Sequence, residues 1–257
     1  MSDADRRFRS TVPYYVAGRR RYPGGLIREV AGALALDGGA RVLDLGCGPG
    51  FLAVAFAPLV GEVVAMDPEP LMLAAAQEAA RGSPGRIGFV LGGSGDLSPA
   101  LGRFALVTMG RSFHWMDRDR TLATLDGMVD PAGGVALFRD SQPDGPENAW
   151  QKAWRATRDR FARERAAPVP ADGKDHEMVL RRSAFSNVRR LTERYQRRTG
   201  VDELVARALS TSTTSPDVLG ERRAEFEAEI RAGAAPFAQD GAVSELVEAE
   251  ALLATRP

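Results

Sequence analysis

The run VLDLGCGPG, Val42 to Gly50, constrains this chain more than any other stretch. An apolar strand-like segment, Arg41–Leu45, carries one carboxylate, Asp44, and then breaks into Gly46, Gly48 and Gly50. Such a break lets bare backbone turn tightly and come close to another group. The surrounding pattern alternates. Helix-like Gly24–Leu36 comes before the strand, and helix-like Phe51–Val60 follows the glycines. Glu62–Met66 reads as a second strand ending at Asp67, and Glu69–Ala80 is rich in strong helix formers. Arg86–Leu91, Phe104–Met109 and Val135–Arg139 read as three more strands. Arg120–Val129 reads as the helix between the last two, and DPAGG as a turn. Strands alternating with helices mean a parallel sheet covered on both faces, and apolar runs such as FALVTM suit strands buried on both sides.

The second half is less regular. Pro143–Pro146 ends the alternation, Glu147–Ala167 reads as a long Arg-rich helix, and APVPADGKD as a loop. Ser186–Gln196 reads as a strand, and Asp202–Leu209 and Gly220–Ala232 as helices with STSTTSP between them. The ending AVSELVEAEALLATRP mixes helix formers with an alternating pattern. The expectation is therefore a core at 24–142 that binds the ligand and a helical cap at 143–235.

At 257 residues and 44% hydrophobic, the chain can bury one large core. Bases and acids balance at 34 each, so bulk charge selects no partner. Locally they do not balance. Residues 1–30 carry seven Arg against three acids, and 151–200 carry fourteen bases against six acids. Solvated faces that pair with one another, or flanks of an anionic ligand, both explain this. No aromatic-interleaved basic patch points to nucleic acid. A single cysteine allows no internal disulfide, and two distant histidines make a poor metal site, so no metal is expected. No apolar run approaches the roughly 20 residues of a membrane span. With no apolar signal core at the N-terminus either, a soluble cytoplasmic protein, monomer or homodimer, is expected.

The glycine spacing narrows the ligand. Dinucleotide folds use G-x-G-x-x-G, which seats pyrophosphate on a helix N-terminus. Here the loop is G-C-G-P-G, with Asp44 just before it. A carboxylate is awkward beside pyrophosphate but useful beside an ammonium group. Asp67 can accept from both hydroxyls of a ribose. In GGSGDL, Gly92–Leu97, Asp96 can accept from an adenine amine with Leu97 against the ring. Amino acid, ribose and adenine in that order describe S-adenosylmethionine.

Together VLDLGCGPG, AMDPEPLMLAAAQ, GGSGDL and SFHWMDRDRTLATLDGMVDPAGGVAL resemble a class I S-adenosylmethionine-dependent methyltransferase. The likeness is to the small-molecule branch that includes trans-aconitate methyltransferase, and it is strongest over residues 10–140. It implies an α/β, Rossmann-like, seven-stranded mostly parallel sheet with the last strand, 243–255, antiparallel. It implies that Asp44, Gly46, Cys47 and Gly48 contact the methionine part. Asp67 then holds the ribose, Pro68 covers one adenine face, and Gly95, Asp96 and Leu97 bound the adenine. Gly110 and Arg111 flank the sulfonium. YYVAGRRRYP resembles the family's lid, with Arg20–Arg21–Tyr22–Pro23 in place of its usual Arg-Pro-x-Tyr-Pro-like stretch. The implied function is methyl transfer to a small-molecule acceptor of specialised metabolism through O, N or C, leaving S-adenosylhomocysteine. A non-catalytic cofactor-binding subunit is the alternative.

Cys47 fits a small side chain packed on cofactor better than a nucleophile. His114 has two readings, a general base at the acceptor or a structural histidine beside Trp115. His176 falls in a polar loop and is expected to be exposed, with a place in the pocket lining as the minor alternative. Phe113 and Trp115 read as pocket wall or core. Trp150 and Trp154, four apart, form one apolar stripe. Tyr14, Tyr15 and Tyr22 are lid candidates.

Overall fold

The computed structural model describes residues 9–163 and 175–257. In chain order it contains α1 (Val12–Gly18), α2 (Gly24–Ala33), β1 (Arg41–Leu45), α3 (Phe51–Phe56), β2 (Glu62–Asp67) and α4 (Pro70–Ala80). There follow β3 (Ile87–Leu91), β4 (Phe104–Gly110), α5 (Arg118–Asp126), β5 (Val129–Ser141), α6 (Gln151–Arg163) and α7 (His176–Arg181). The chain ends with β6 (Asn187–Gly200), α8 (Val201–Leu209), α9 (Pro216–Leu219), α10 (Arg223–Ala234) and β7 (Ala242–Thr255). The seven strands form one sheet in the order β3-β2-β1-β4-β5-β7-β6. The pairs β1–β2, β2–β3, β1–β4 and β4–β5 are parallel. Neighbours of β1 thus lie in opposite directions along the chain, which opens a crevice at the carboxyl ends of β1 and β4.

Two compact units divide the chain. One comprises residues 21–140, 172–193 and 249–257, and the other 1–20, 141–171 and 194–248. The first unit holds the parallel core. Leu43, Leu45, Val107 and Met109 pack with Leu122 and Leu125 of α5 and with Val179 and Leu180 of α7. Helix starts here are written in sequence. Glu69 caps α4 by accepting from Leu71 N–H at 3.2 Å, with Pro70 at its first position. Asp117 caps α5 by accepting from Arg120 N–H at 3.2 Å.

Three expectations need correction. The DPAGG turn lies inside β5, which begins at Val129, not Val135. Val129 pairs with Phe104, the register slips, and Gly134 resumes opposite Leu106. The two glycines therefore form an irregularity within a strand rather than its beginning. The long helix expected from Glu147 starts at Gln151 after a short 3-10 turn at Pro146–Asn148. Its expected end at 164–167, like the loop up to residue 174, lies outside the described residues. His176 is not in a loop: it opens α7 and is half-buried.

The second unit packs Trp150, Phe161, Leu204, Leu209, Phe226 and Ile230 around the expected tryptophan stripe. Trp150 and Trp154 meet edge-on at 6.2 Å, and their indole N–H groups donate to the carbonyls of Ser244 and Leu204. Gly18 lets α1 lie directly on α8, because a Cβ there would fall 2.2 Å from the Arg207 nitrogen. Arg207 in turn donates to the Gly18 carbonyl at 3.1 Å.

Beneath that contact sits a buried charge cluster. Glu245, with no exposed surface, takes Arg20 at 2.5 Å, Arg207 at 2.6 Å and the Thr199 hydroxyl at 2.6 Å. Glu203 bridges Arg207 and Arg197. Burial alone would raise the Glu245 carboxyl, but Arg207, then Arg20 and Thr199, hold it below the usual glutamate range. Its folded value is depressed, so its contribution is complete above the unfolded value and fades as pH falls through the folded one. Replacing Glu245 with Gln removes the buried charge that Arg20 and Arg207 share and should cost about 3–5 kcal/mol. Urea unfolding at pH 7 checks this; a loss below about 1 kcal/mol would mean that the cluster is well solvated.

Candidate active site

β1 ends in the glycine loop, and hydrogen bonds inside the protein fix the loop's shape. The Gly46 and Cys47 N–H groups donate to the Met66 carbonyl at 2.8 and 3.0 Å, and Gly50 N–H donates to the Cys47 carbonyl at 3.0 Å. Gly48 N–H donates to the Asp67 carboxylate at 2.8 Å. A phosphate cradle needs such amides turned outward to the anion; here they are already used. Gly46 has a left-handed φ of +68°, and a Cβ there would lie 2.6 Å from the Ser112 Cβ. Sequence reasoning overlooked Ser112, whose hydroxyl donates to the Leu45 carbonyl at 2.9 Å and ties the β4 exit to the end of β1.

Asp44 does two jobs in the fold. Its carboxylate accepts from Ala53 N–H, in the first turn of α3, at 3.0 Å and from the Thr108 hydroxyl at 3.0 Å. The anion at the α3 N-terminus is thus the protein's own, in the place where a dinucleotide fold seats pyrophosphate. Asp44 is 1% exposed, and burial lifts its pKa from 3.8 to about 7. Asp67, at the end of β2, accepts from Gly48 and Glu69 N–H groups, and burial raises it too. Cys47 is buried, and burial followed by the charges of Asp44 and Asp67 pushes its thiol well up. It is a poor nucleophile in this setting.

After β3, Asp96 accepts from Gly93 N–H at 2.9 Å and shapes a short turn that exposes Gly95 and Asp96. A Cβ on Gly95 would meet no atom within 4 Å, Pro68 is exposed, and Leu97 packs against the core edge. Asp44, Asp67 and Asp96 thus follow β1, β2 and β3, three adjacent strands.

Beside the β4 exit lies a pocket of about 390 Å³. Met109, Phe113, Leu137, Phe138 and Leu252 supply its apolar lining, and Arg111, His114, Arg139, Asp175 and His176 its polar lining. The glycine loop, Asp67 and Asp96 are not part of that lining; Met109 and Arg111 flank Gly110 between the two regions. Arg111, with φ of +57°, is paired with Asp140 at 2.6 Å and lies over the Tyr22 ring. Tyr22 is buried, and its hydroxyl donates to the Phe138 carbonyl at 3.1 Å. His114 is exposed, as is Trp115, and their rings lie 4.9 Å apart. Among the lid candidates, Tyr14 and Tyr15 belong to the other unit. There Tyr14 packs on the Trp150 core under Arg223, and Tyr15 lies under Arg19. Arg20 is consumed by Glu245, and Arg21 lies over the Phe51 ring.

Sequence reasoning left Arg139 and Asp175 out of the site and gave His176 a place in it only as the minor alternative. The available signals were the helix pattern DHEMVLR with Asp175 as N-cap, and Glu177 four residues before Arg181.

Residues 42–133 match the family model described as a methyltransferase domain. Curated uncharacterized methyltransferases of Mycobacterium tuberculosis and Mycobacterium bovis are 30% identical over 142 residues, 55% of this chain and 55% of theirs. The alignment therefore spans about half the length of these relatives. The fold is that of known methyltransferases. A structure from Thiobacillus denitrificans, a methyltransferase with bound S-adenosyl-L-homocysteine, has a TM-score of 0.54 at 17% identity and covers 98% of both chains. A similar complex from Geobacter sulfurreducens gives 0.52 at 16%, covering 97% of this chain and 98% of that one. The 4+2 cyclase SpnF shares the fold at 0.53 and 18%, covering 93% of this chain and 85% of its own.

Two outcomes test the loop. Gly46→Ala adds both the Ser112 clash and left-handed strain, worth more than about 1–2 kcal/mol, and should lower Tm by several degrees. Asp44 has a raised folded pKa, so native protein holds its proton where the unfolded chain has lost it. Between pH 4 and 7 stability should therefore fall with rising pH, by at most about 4 kcal/mol from this group. Asp44→Asn should flatten that slope in denaturant titrations; an unchanged slope would contradict the burial of its charge.

Proposed function

We propose that the chain is an S-adenosylmethionine-dependent methyltransferase acting on a small molecule. The observation that carries this reading is the Asp44 carboxylate on the α3 N-terminus, with the loop amides turned inward. That arrangement disfavours a pyrophosphate and sets acidic groups beneath the loop, where an amino acid's ammonium group is better accommodated than an anion. The residues present fit the cofactor: Asp44, Gly46, Cys47 and Gly48 for its methionine part, Asp67 for its ribose hydroxyls, Pro68, Gly95, Asp96 and Leu97 for adenine. Gly110 and Arg111 lead from there to the 390 Å³ pocket, whose volume suits a small acceptor.

When bound, S-adenosylmethionine supplies a methyl group already activated on a sulfonium. The protein's task is then orientation, and holding two reactants in line is worth several kcal/mol. The side chains of Met109, Phe113, Leu137, Phe138 and Leu252 give the acceptor an apolar wall to pack against. His114 lines that pocket, and in this reading it takes the proton that a hydroxyl acceptor must lose. Its exposure and its place in the lining let it exchange that proton with solvent.

Calorimetry checks the cofactor. S-adenosylhomocysteine should bind roughly 100-fold tighter than NADH, about 2.7 kcal/mol; tight NADH binding with no response to the other ligand would overturn the reading. Turnover on a panel of phenols, enols and carboxylic acids checks the reaction. His114→Gln should keep S-adenosylhomocysteine affinity and lose about 100-fold or more in kcat on a hydroxyl acceptor. Normal turnover in that variant would remove His114 from the chemistry.

A further inference from the structure

We propose that His176 is a fixed hydrogen-bond donor that reads a carbonyl-type oxygen, ketone or carboxylate, on the methyl acceptor, with Arg118 as the residue that fixes it. This deepens the methyltransferase reading and rests on it for the identity of the occupant.

The argument starts from Arg118. It opens α5, is 6% exposed, and places a cation at the positive end of a helix, where it is unfavourable. Its Nη1 lies 3.0 Å from Nδ1 of His176. A guanidinium has only donors, so Nδ1 must accept. That fixes the imidazole as neutral with its proton on Nε2. Protonation at Nδ1 would set two donors against each other.

The other groups around the ring agree. Burial first, then Arg118 and Arg139, push the His176 pKa below its ordinary value, and only Asp175 opposes them. His114 lies parallel to it at 6.4 Å, and the Phe113 ring meets it edge-on at 5.3 Å. Among the described residues no acceptor takes the Nε2 proton, and His176 lines the pocket. A neutral N–H donor facing the pocket prefers an oxygen lone pair to an ammonium or amide N–H at that position.

The ring is also held in place. Glu177, its neighbour, pairs with Arg181 at 2.7 Å and with Arg190 at 2.6 Å. Arg190 also pairs with Glu250, which forms a two-bond pair with Arg139 of the pocket. Arg182, just past α7, makes two 2.7 Å bonds to Asp119 of α5. Helix α7 is thus fastened both to the helix that carries Arg118 and to the sheet. Arg118 is a positioning residue, and His176 is the group that touches the acceptor.

The test is direct because the chain has two histidines. Long-range proton–nitrogen spectra of ¹⁵N-histidine-labelled full-length protein, with His114→Gln to assign them, report both tautomers from pH 5 to 8. His176 should titrate below the ordinary value of about 6.5 and in its neutral form carry its proton on Nε2. A titration at or above the ordinary value, or a proton on Nδ1 of the neutral ring, would overturn the proposal. Arg118→Met should raise the His176 titration toward the ordinary value of about 6.5, with burial still holding it lower, and mix the tautomers; Arg118→Lys should restore part of the lock. Should Arg118→Met fail to fold, the wild-type spectrum alone decides. Benzoate or acetophenone should shift the Nε2 proton of wild-type protein, and benzylamine should not. Equal responses, or none, would overturn the substrate class. S-adenosylhomocysteine binding in the same sample keeps the two readings apart. Its absence sinks the methyltransferase assignment whatever the tautomer, while its presence with a His176 that titrates at or above the ordinary value sinks only this inference.

Discussion

The bond from Ala53 N–H to the Asp44 carboxylate is the constraint on which the rest depends. It decides what the α3 N-terminus faces. In a parallel sheet that position is the natural seat for a ligand's anion, and here the chain fills it with its own side chain. The loop must then curve without outward amides. Gly46, Cys47 and Gly48 donate back to Met66 and Asp67, and Gly46 passes Ser112 at a distance only a glycine tolerates. Strands β1, β2 and β4 are thereby joined at their carboxyl ends by side-chain and loop bonds as well as by the sheet ladder.

Much of this could be read in advance, for a physical reason. Central parallel strands are buried on both faces, so β1, β2 and β4 appear as apolar runs, and the glycines mark the break. The likeness to methyltransferases rested on short blocks in which each residue has a local job: Asp67 caps a turn, Asp96 closes another, Asp117 starts a helix. Local jobs leave local signals. What could not be read depends on partners far along the chain. Asp44 looks like a ligand-facing acid in the sequence, and its bonds to Ala53 and Thr108 need the fold. Gly133 and Gly134 look like a turn because nothing local shows that β4 continues alongside them. His176 looks like a loop residue because Arg118, its partner, is 58 positions away.

The arginine bias also has a structural use. Arg139 grips Glu250 with two parallel bonds, Arg182 reaches Asp119 through both Nε and Nη2, and Arg20 and Arg207 share one buried glutamate. A planar fork suits these pairs better than an ammonium. The local charge excesses that suggested an anionic ligand are in large part matched within the chain. The pocket keeps its selectivity for a different reason: its basic residues have partners, so a neutral imidazole is left to discriminate.

The central claim is that bare backbone at 46–48, with carboxylates 44 and 67 on either side, receives an adenosyl sulfur compound. A crystal soaked in S-adenosylhomocysteine measures this most directly. The account predicts density running from the glycine loop past the end of β2 to the turn at Gly95, with ribose oxygens on Asp67. Density elsewhere, or a crevice closed by neighbouring atoms, would contradict it.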